Sequence, residues 1–453
     1  MEETAAVNKT LDKLNFKILY VNSGMSRLNF VRGEVVLKNF SVFYEKYANT
    51  TVLTTSPEYL HNITEHDLKH FNILWLDNVS DPLALKHITD IQIKLMTEAD
   101  PKWKETLTNL QAESEEKAVA YASELKERVA QKLRVIYAID EFIWEAPVGR
   151  AQSIQVVRMV EAYMNLADNI IVPTNEMKEA IHHFGFCNKS IDISVIPTTV
   201  HHDFFPLFKR TERNGSVTAT QMPKARILIK GIVIPENIQE FISLSYKDFD
   251  ITISSVGELN ESVLGLIERQ KINHIHHWAN PGSNKKNFTA TYAIERDQGF
   301  DIFIYCMENN LEGKFYDITM GDEDILFAIS SGILPICGTE HVGYEPTHLS
   351  NASGLVFGKD TKFEDIKKMV RSHYYDFTKF NMAFNKCRVH LENRVTTSPF
   401  IMGAYFGVLI GRKAAEKMVK EKEEASKKEE TVTVNADITS PDATSEASIE
   451  NKE

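Results

Sequence analysis

The sequence predicts an α/β protein with two domains, each built on a mostly parallel β-sheet. Short apolar runs alternate with amphipathic helical segments, which is the pattern of parallel strands covered by helices. A length of 453 residues exceeds one ordinary core of about 100–200 residues. The alternation stops at a polar segment, 208–224, and then starts again. We therefore interpret this segment as a linker between two similar domains.

The stretch from Phe300 to Tyr344 shows the pattern most clearly. It predicts a buried strand at Asp301–Cys306, a polar loop, a helix over about Asp322–Ser331 and a second buried strand at Ile333–Cys337. Gly332 follows the predicted helix, where a left-handed cap favours glycine. Ligands of open α/β sheets bind at the loop ends of such strands, so this stretch is a candidate site.

In the first half, a disordered N-terminal leader (1–14) precedes six predicted strands. They are FKILYVNSG (16–24), TTVLTT (50–55), FNILWLDNV (71–79), RVIYAIDEF (134–142), NIIVP (169–173) and IDISVIP (191–197). Thr174 and Gly185 are the predicted caps of the helix between the last two strands. The charged segment at about 81–132 predicts a two-helix insertion that buries Val119, Ala122, Leu125 and Val129. The sequence leaves open whether this insertion also binds a partner or acceptor.

In the second half, the predicted strands include ARILIKG (225–231), DITISSVG (250–257), INHIHHWAN (272–280) and GLVFG (354–358). The predicted organisation is an N-terminal domain (15–207), the linker, a C-terminal domain (225–396), a C-terminal helix (397–426) and a disordered acidic tail (427–453). A cleft between the two domains is expected to hold the ligand.

Composition indicates a soluble, cytoplasmic protein. Hydrophobic residues make up 43% and charged residues 25% of the chain, with no apolar run of about 20 residues and no secretory signal pattern. The four cysteines are widely spaced, which predicts reduced thiols: Cys187, Cys306, Cys337 and Cys387. The histidine clusters at 182–183, 201–202 and 274–277 match no zinc signature, so we predict no metal site.

The chain is acidic, with a formal net charge of −12. Residues from 414 onward contribute −5 of this, which leaves about −7 for the body. A nucleic-acid partner is therefore not favoured, although a local basic cleft would permit one.

Several segments resemble glycosyltransferases of the GT-B fold, which contain two Rossmann-like domains. ADNIIVPTNEMKEAIHHFGF and IDISVIPTTVHHDFFP are similar to the end of the N-terminal domain in that family, and DEDILFAISSGILPICGTEHVGY is similar to its nucleotide-sugar motif. YAIDEFIWEAPVGR is similar to a segment of bacterial and large-tailed-phage members. The resemblance to the glycogen-synthase-like branch covers about Phe16 to Asn393.

The resemblance implies a metal-independent enzyme that takes a sugar from a nucleoside-diphosphate sugar, a substrate rather than a cofactor, and transfers it to an acceptor. In the family the second domain holds the donor and the first holds the acceptor. The candidate donor-binding residues are Lys230, Gly231, Ser255, Gly257, Asp324, Gly343 and Tyr344. Two further candidates are Glu323, as a substitute for a ribose-binding glutamate of the family, and Lys314, as a source of positive charge. Asp140 and Glu141 follow a predicted strand and are candidate catalytic residues on the acceptor side, or else ordinary loop carboxylates.

Two residues depart from the family motif. Phe327 stands where relatives carry a ribose-binding glutamate, and Asp324 lies near a position that is usually basic. A phenylalanine accepts no hydrogen bond, and an aspartate repels a diphosphate. Three functions therefore remain open: a glycosyltransferase acting on an unknown hydroxyl, a non-catalytic GT-B-like binding protein, and a phage-type enzyme that glycosylates a modified DNA base.

Overall fold

A computed structural model describes residues 13–23, 30–45, 48–140, 142–145, 152–200, 223–231, 234–256, 259–277, 299–306, 323–338, 355–358 and 360–411. These residues contain two six-stranded sheets in which every strand pair is parallel. The predicted α/β class with two parallel sheets is confirmed.

The first sheet has the strand order β2-β1-β3-β4-β5-β6. Its strands are β1 (Leu14–Asn22), β2 (Ala48–Thr55), β3 (Ile73–Asp77), β4 (Arg134–Ala138), β5 (Asn169–Val172) and β6 (Asp192–Val195). The described helices of this half are α1 (Val36–Phe43), α2 (Glu65–Leu68), α3 (Pro82–Ala99), α4 (Trp103–Glu113), α5 (Glu115–Ala130), α6 (Ile154–Leu166) and α7 (Asn175–Phe184). The strand order reverses between β1 and β3, which makes this the topological switch point of the sheet.

The second sheet has the strand order β12-β11-β10-β7-β8-β9. Its strands are β7 (Arg226–Lys230), β8 (Asp250–Val256), β9 (Asn273–His277), β10 (Ile302–Tyr305), β11 (Leu334–Gly338) and β12 (Val356–Phe357). The described helices here are α8 (Glu236–Ser245), α9 (Glu261–Gln270), α10 (Glu323–Ser330), α11 (Phe363–Tyr374), α12 (Phe377–Glu392) and α13 (Pro399–Ile410). The switch point of this sheet lies between β7 and β10.

Local sequence signals set several helix ends. Thr174 accepts a hydrogen bond from the Met177 amide at the start of α7, and Gly185 ends that helix with φ of 70°. Gly332 follows α10 with φ of 77°. These caps confirm the predictions at all three positions, because side-chain oxygens satisfy the first amides of a helix and glycine tolerates the left-handed conformation.

The charged segment between β3 and β4 differs from its prediction. It forms three helices rather than two, because α3 ends before Pro101 and Ser114 separates α4 from α5. In α5 the buried residues are Ala118, Leu125 and Val129, whereas Val119 is 53% exposed and Ala122 is also exposed. The predicted buried face is therefore correct in the C-terminal half of α5 and wrong in its N-terminal half, where Ala118 rather than Val119 faces the core.

Both sheets are covered by apolar side chains from the helices. All four cysteines are buried thiols, as predicted. The chain divides into a compact unit that ends at Tyr405 and a second unit that begins at Phe406, described here only to Gly411. No helix within the described ranges is long and apolar enough to cross a membrane.

The first strand begins at Leu14, one residue inside the predicted leader. The other predicted domain limits stay predictions.

Candidate functional site

The switch point of the second sheet contains a buried lysine. Lys230 is the last residue of β7, and in register it lies between Ser254 of β8 and Tyr305 of β10. Alternate residues of a strand face opposite sides, so Lys230 lies on the same face as Leu228. Leu228 packs in the cluster that also contains the apolar residues of α10. The lysine therefore points to the face that α10 covers.

Asp324 lies in the first turn of α10 and forms an ion pair with this lysine. Its Oδ1 is 2.8 Å from Lys230 Nζ, and the two side chains are 24% and 5% exposed. A carboxylate is also favoured at this position because the N-terminus of a helix carries a partial positive charge. The expectation that Asp324 acts only as a repulsive charge was therefore incomplete, because the carboxylate neutralises a buried cation.

Phe327 is a core residue of the second sheet. It is 4% exposed and packs in the same cluster as Ile325 and Leu326. Residues 325–329 of α10 are all buried and apolar, so this part of the helix offers no side-chain acceptor for a ribose. The structure describes Glu323, the suggested substitute, only as the first position of α10.

Ser255 lies close to the end of β8 and is 1% exposed. Its hydroxyl is 2.9 Å from Nε2 of His274 on the neighbouring strand β9. Gly231 follows Lys230 directly, at the same edge of the sheet. The structure thus brings together Lys230, Gly231 and Asp324 and places Ser255 on the adjacent strand.

A second polar cluster lies at the switch point of the first sheet. Asp77 ends β3 and accepts a hydrogen bond of 2.5 Å from the Tyr20 hydroxyl. Asn78 donates through Nδ2 to Oδ2 of Asp140 at 2.8 Å, and its Oδ1 accepts from the Asp140 amide at 3.3 Å. Asp140, a predicted catalytic residue, is 3% exposed and held at the carboxyl edge of the sheet by these two bonds.

Burial and nearby carboxylates keep the phenols of this cluster protonated. Burial raises the pKa of Tyr20 well above its ordinary value, and the charge of Asp77 raises it further. The pKa of Tyr137 is also raised by burial, and its hydroxyl donates to the Val79 carbonyl at 2.9 Å. Tyr20 is therefore a hydrogen-bond donor to Asp77 at neutral pH.

Tyr20, Asp77 and Asn78 were not predicted as site residues from the sequence. A signal was present, because Asp77 and Asn78 follow a buried strand just as Asp140 follows another. Glu141, Gly257, Lys314, Gly343 and Tyr344 lie outside the described residues, so their roles stay predictions. Within the described part of the chain, no group of three or more His, Cys, Asp or Glu side chains is placed to hold a metal ion.

Comparison with known proteins identifies the fold. No protein-family model matches the chain. A search of curated proteins also finds no match. Among solved structures, sucrose-phosphate synthase from Thermosynechococcus elongatus matches 88% of this chain over 100% of its own, at 9% identity with a TM-score of 0.50. The chain has the GT-B fold.

Two other solved structures are similar to parts or most of the chain. HepE from Anabaena, in complex with UDP and glucose, matches 89% of this chain and 100% of its own at 10% identity, with a TM-score of 0.43. TarM from S. aureus matches 62% of this chain at 10% identity, with a TM-score of 0.41. This chain spans about half the length of TarM, 51%.

Proposed function

We propose that this GT-B protein is a glycosyltransferase that moves a sugar, a hexose or a pentose, from a nucleoside-diphosphate sugar to an acceptor hydroxyl. The observation that carries the proposal is the buried Lys230 at the switch point of the second sheet, beside the N-terminus of α10. In the transfer, the bond between the sugar and the diphosphate breaks and a bond to the acceptor oxygen forms. The departing diphosphate gains negative charge, which a cation and helix amides stabilise.

The acceptor side of the reaction is assigned to the first sheet. The acceptor hydroxyl loses its proton as its oxygen bonds to the sugar, and Asp140 is the proposed group that orients this hydroxyl or accepts the proton. Asn78 holds Asp140 through one hydrogen bond to its carboxylate and one from its backbone amide. Glu141 is the second proposed carboxylate. No metal or further cofactor is part of the proposal, and the proposed location is the cytoplasm.

The donor site is tested by titrating the protein with UDP, GDP and CDP in thermal-shift and calorimetric experiments. We expect one of them to bind, and Lys230→Gln to weaken that binding by about tenfold or more, because a charge-assisted hydrogen bond to a phosphate is lost. Glutamine keeps a donor for Asp324, which protects the fold. Lys247→Met, at an exposed lysine of the same domain, is the matched control. Wild-type protein that binds none of the three would contradict the proposal.

The nucleotide that binds also selects the sugar donors for a hydrolysis and transfer assay. Asp140→Asn retains the acceptor for the Asn78 amide but no longer takes up a proton. We expect the turnover to fall by about 10²-fold or more. An unchanged turnover would remove Asp140 from the catalytic residues.

A specific observation favours a second candidate function, a non-catalytic GT-B-like binding protein. Asp324 already neutralises Lys230, and the apolar Phe327 occupies a core position in the helix of the donor motif. This candidate predicts that no nucleotide sugar is hydrolysed or transferred. The assay above separates the two functions.

A further inference from the structure

We propose that Asp324 is an internal competitor for Lys230, which weakens the binding of a diphosphate and makes affinity at this site depend on the charge of the ligand. The inference rests on the proposed role of Lys230 as the cation of the donor site. It goes further by assigning a specificity-determining role to a residue of this chain. The starting observation is the ion pair of 2.8 Å between the Lys230 ammonium and the Asp324 carboxylate.

The position of the pair explains why the carboxylate and a diphosphate compete. The lysine side chain is only 5% exposed, so few of its directions are open to a ligand. A phosphate oxygen at hydrogen-bond distance from Nζ would also come within several ångströms of the Asp324 carboxylate, where two like charges repel each other. The diphosphate must therefore displace Asp324 or bind against its charge.

The helix strengthens this competition. Asp324 lies in the first turn of α10, where amide groups without helical partners and the helix dipole favour an anion. Within the described residues, Lys230 and the N-terminus of α10 are positive features that a diphosphate would use at this edge. The Asp324 carboxylate already pairs with Lys230 and lies at the N-terminus of α10.

The competition predicts a dependence on ligand charge. A neutral nucleoside is not affected by Asp324, a monophosphate is disfavoured, and a diphosphate is disfavoured most. A residue that only positions the lysine would have the opposite effect, because its removal would weaken the binding of every phosphate. The direction in which the diphosphate Kd changes when Asp324 is mutated therefore distinguishes a competitor from a residue that positions the lysine.

The test compares wild-type protein with Asp324→Asn, which keeps the shape and removes the charge. Calorimetry measures the Kd of UDP, GDP and CDP, of the matching monophosphates and nucleosides, and of inorganic pyrophosphate. We expect the variant to bind the diphosphate at least about tenfold more tightly, equivalent to about 1.4 kcal/mol. The gain should be smaller for the monophosphate and absent for the nucleoside. Asp248→Asn, at a carboxylate that pairs with Lys367 and Arg371, makes the same change in net charge elsewhere in the domain and should leave Kd unchanged.

The outcomes distinguish failure of the competitor role from failure of the donor site. If wild-type protein binds a diphosphate and Asp324→Asn binds it equally or more weakly, the competitor role is wrong and the donor site stands. If only the variant binds, the competitor role is supported, and the wild-type protein is the non-catalytic candidate. If neither protein binds any nucleotide or pyrophosphate, both proposals fail. Asp324→Ser, with its thermal unfolding measured in parallel, replaces the first variant if that one does not fold.

Discussion

Asn78 shows how one residue can hold a buried polar cluster together. It has a positive φ of 49°, directly after β3, and its side chain bonds Asp140 while its amide donates to the Ala138 carbonyl at 2.9 Å. Asparagine tolerates the left-handed conformation better than other residues with a Cβ atom. The residue therefore combines a rare backbone conformation with two hydrogen bonds to Asp140, one to its carboxylate and one from its backbone amide.

Substitutions at Asn78 separate these two contributions. Asn78→Gly relieves the backbone conformation but loses the side-chain bonds, and should lower the free energy of unfolding by about 1–3 kcal/mol. Asn78→Ala also places a Cβ atom in the left-handed conformation, which adds about 1 kcal/mol to the loss. Urea unfolding measures both values. Equal stability of the two variants would show that the backbone conformation carries no cost.

For single residues, the sequence predicts local features such as helix caps better than contacts between residues that are far apart in the chain. Thr174, Gly185 and Gly332 were predictable because each cap depends on its own helix. The pairing of Lys230 with Asp324 was not, because the two residues are far apart in sequence and meet only when α10 packs on the face that Leu228 shares with Lys230. Without that contact, Asp324 could be judged only as a negative charge near a phosphate.

At the scale of elements, a partly buried carboxylate joins α5, β4 and β5. Asp168 precedes β5 and accepts a hydrogen bond of 2.8 Å from the Val135 amide of β4. Lys126 of α5 donates to the neighbouring Ala167 carbonyl at 2.6 Å. Burial raises the pKa of Asp168 above its ordinary value, although the charge of Lys126 opposes this shift. Burial lowers the pKa of Lys126.

The raised pKa of Asp168 predicts a pH dependence of stability. The folded protein holds the Asp168 proton more tightly than the unfolded chain does. Protonated Asp168 therefore makes its full contribution to the free energy of unfolding below the unfolded pKa of about 3.9, and this contribution is lost as the pH rises through the folded pKa. Wild-type protein should therefore lose stability relative to Asp168→Asn between acidic and neutral pH. Chemical unfolding of both proteins across this range measures the difference.

Asp100→Asn is the control for this experiment, because it should show the opposite slope. A hydrogen bond from Tyr121 lowers the pKa of Asp100 in the folded protein. Ionised Asp100 therefore adds to the free energy of unfolding at neutral pH, and this contribution is lost as the pH falls through the folded pKa. If wild-type protein and Asp168→Asn differ by the same amount at every pH, the pKa of Asp168 is not raised.

Helices and strands could be predicted where the pattern of apolar residues fits only one type of element. The central strands β3 (ILWLD), β5 (NIIV) and β10 (IFIY) are nearly continuous apolar runs, as expected for strands covered by helices on both faces. The helices between β3 and β4 were harder because α4 has no buried residue, and its periodicity therefore carries no information about the core. The face of α5 was misjudged because Val119 is apolar but exposed.

At the scale of the molecule, both polar clusters lie at topological switch points. Asp77 and Asp140 lie at the carboxyl edge between β1, β3 and β4, and Lys230 lies at the edge between β7 and β10. Crossover helices on opposite faces diverge at such points and leave the edge open, which is why ligands of α/β sheets bind there. The sequence predicted the strands, but the strand order that creates the two switch points came only from the structure.

Helix α13 contacts the first sheet through an aromatic pair. Tyr405 of α13 stacks on Trp75 of β3, with 5.6 Å between the ring centroids and an angle of 5° between the planes. The two side chains are 0% and 1% exposed. Removal of this tyrosine side chain leaves a cavity against the centre of the sheet.

Tyr405→Ala should therefore lower the free energy of unfolding by about 3–5 kcal/mol, the usual cost of removing a buried aromatic side chain. It should also shift the fluorescence of Trp75 to longer wavelength, because water reaches the indole. The shift should be absent from the Trp75→Phe/Tyr405→Ala double variant. Phe400→Ala, in the same helix but 63% exposed, should change the stability by no more than about 0.5 kcal/mol. Equal losses in the two single alanine variants would contradict the assignment of Tyr405 as the residue that fixes α13 on the first sheet.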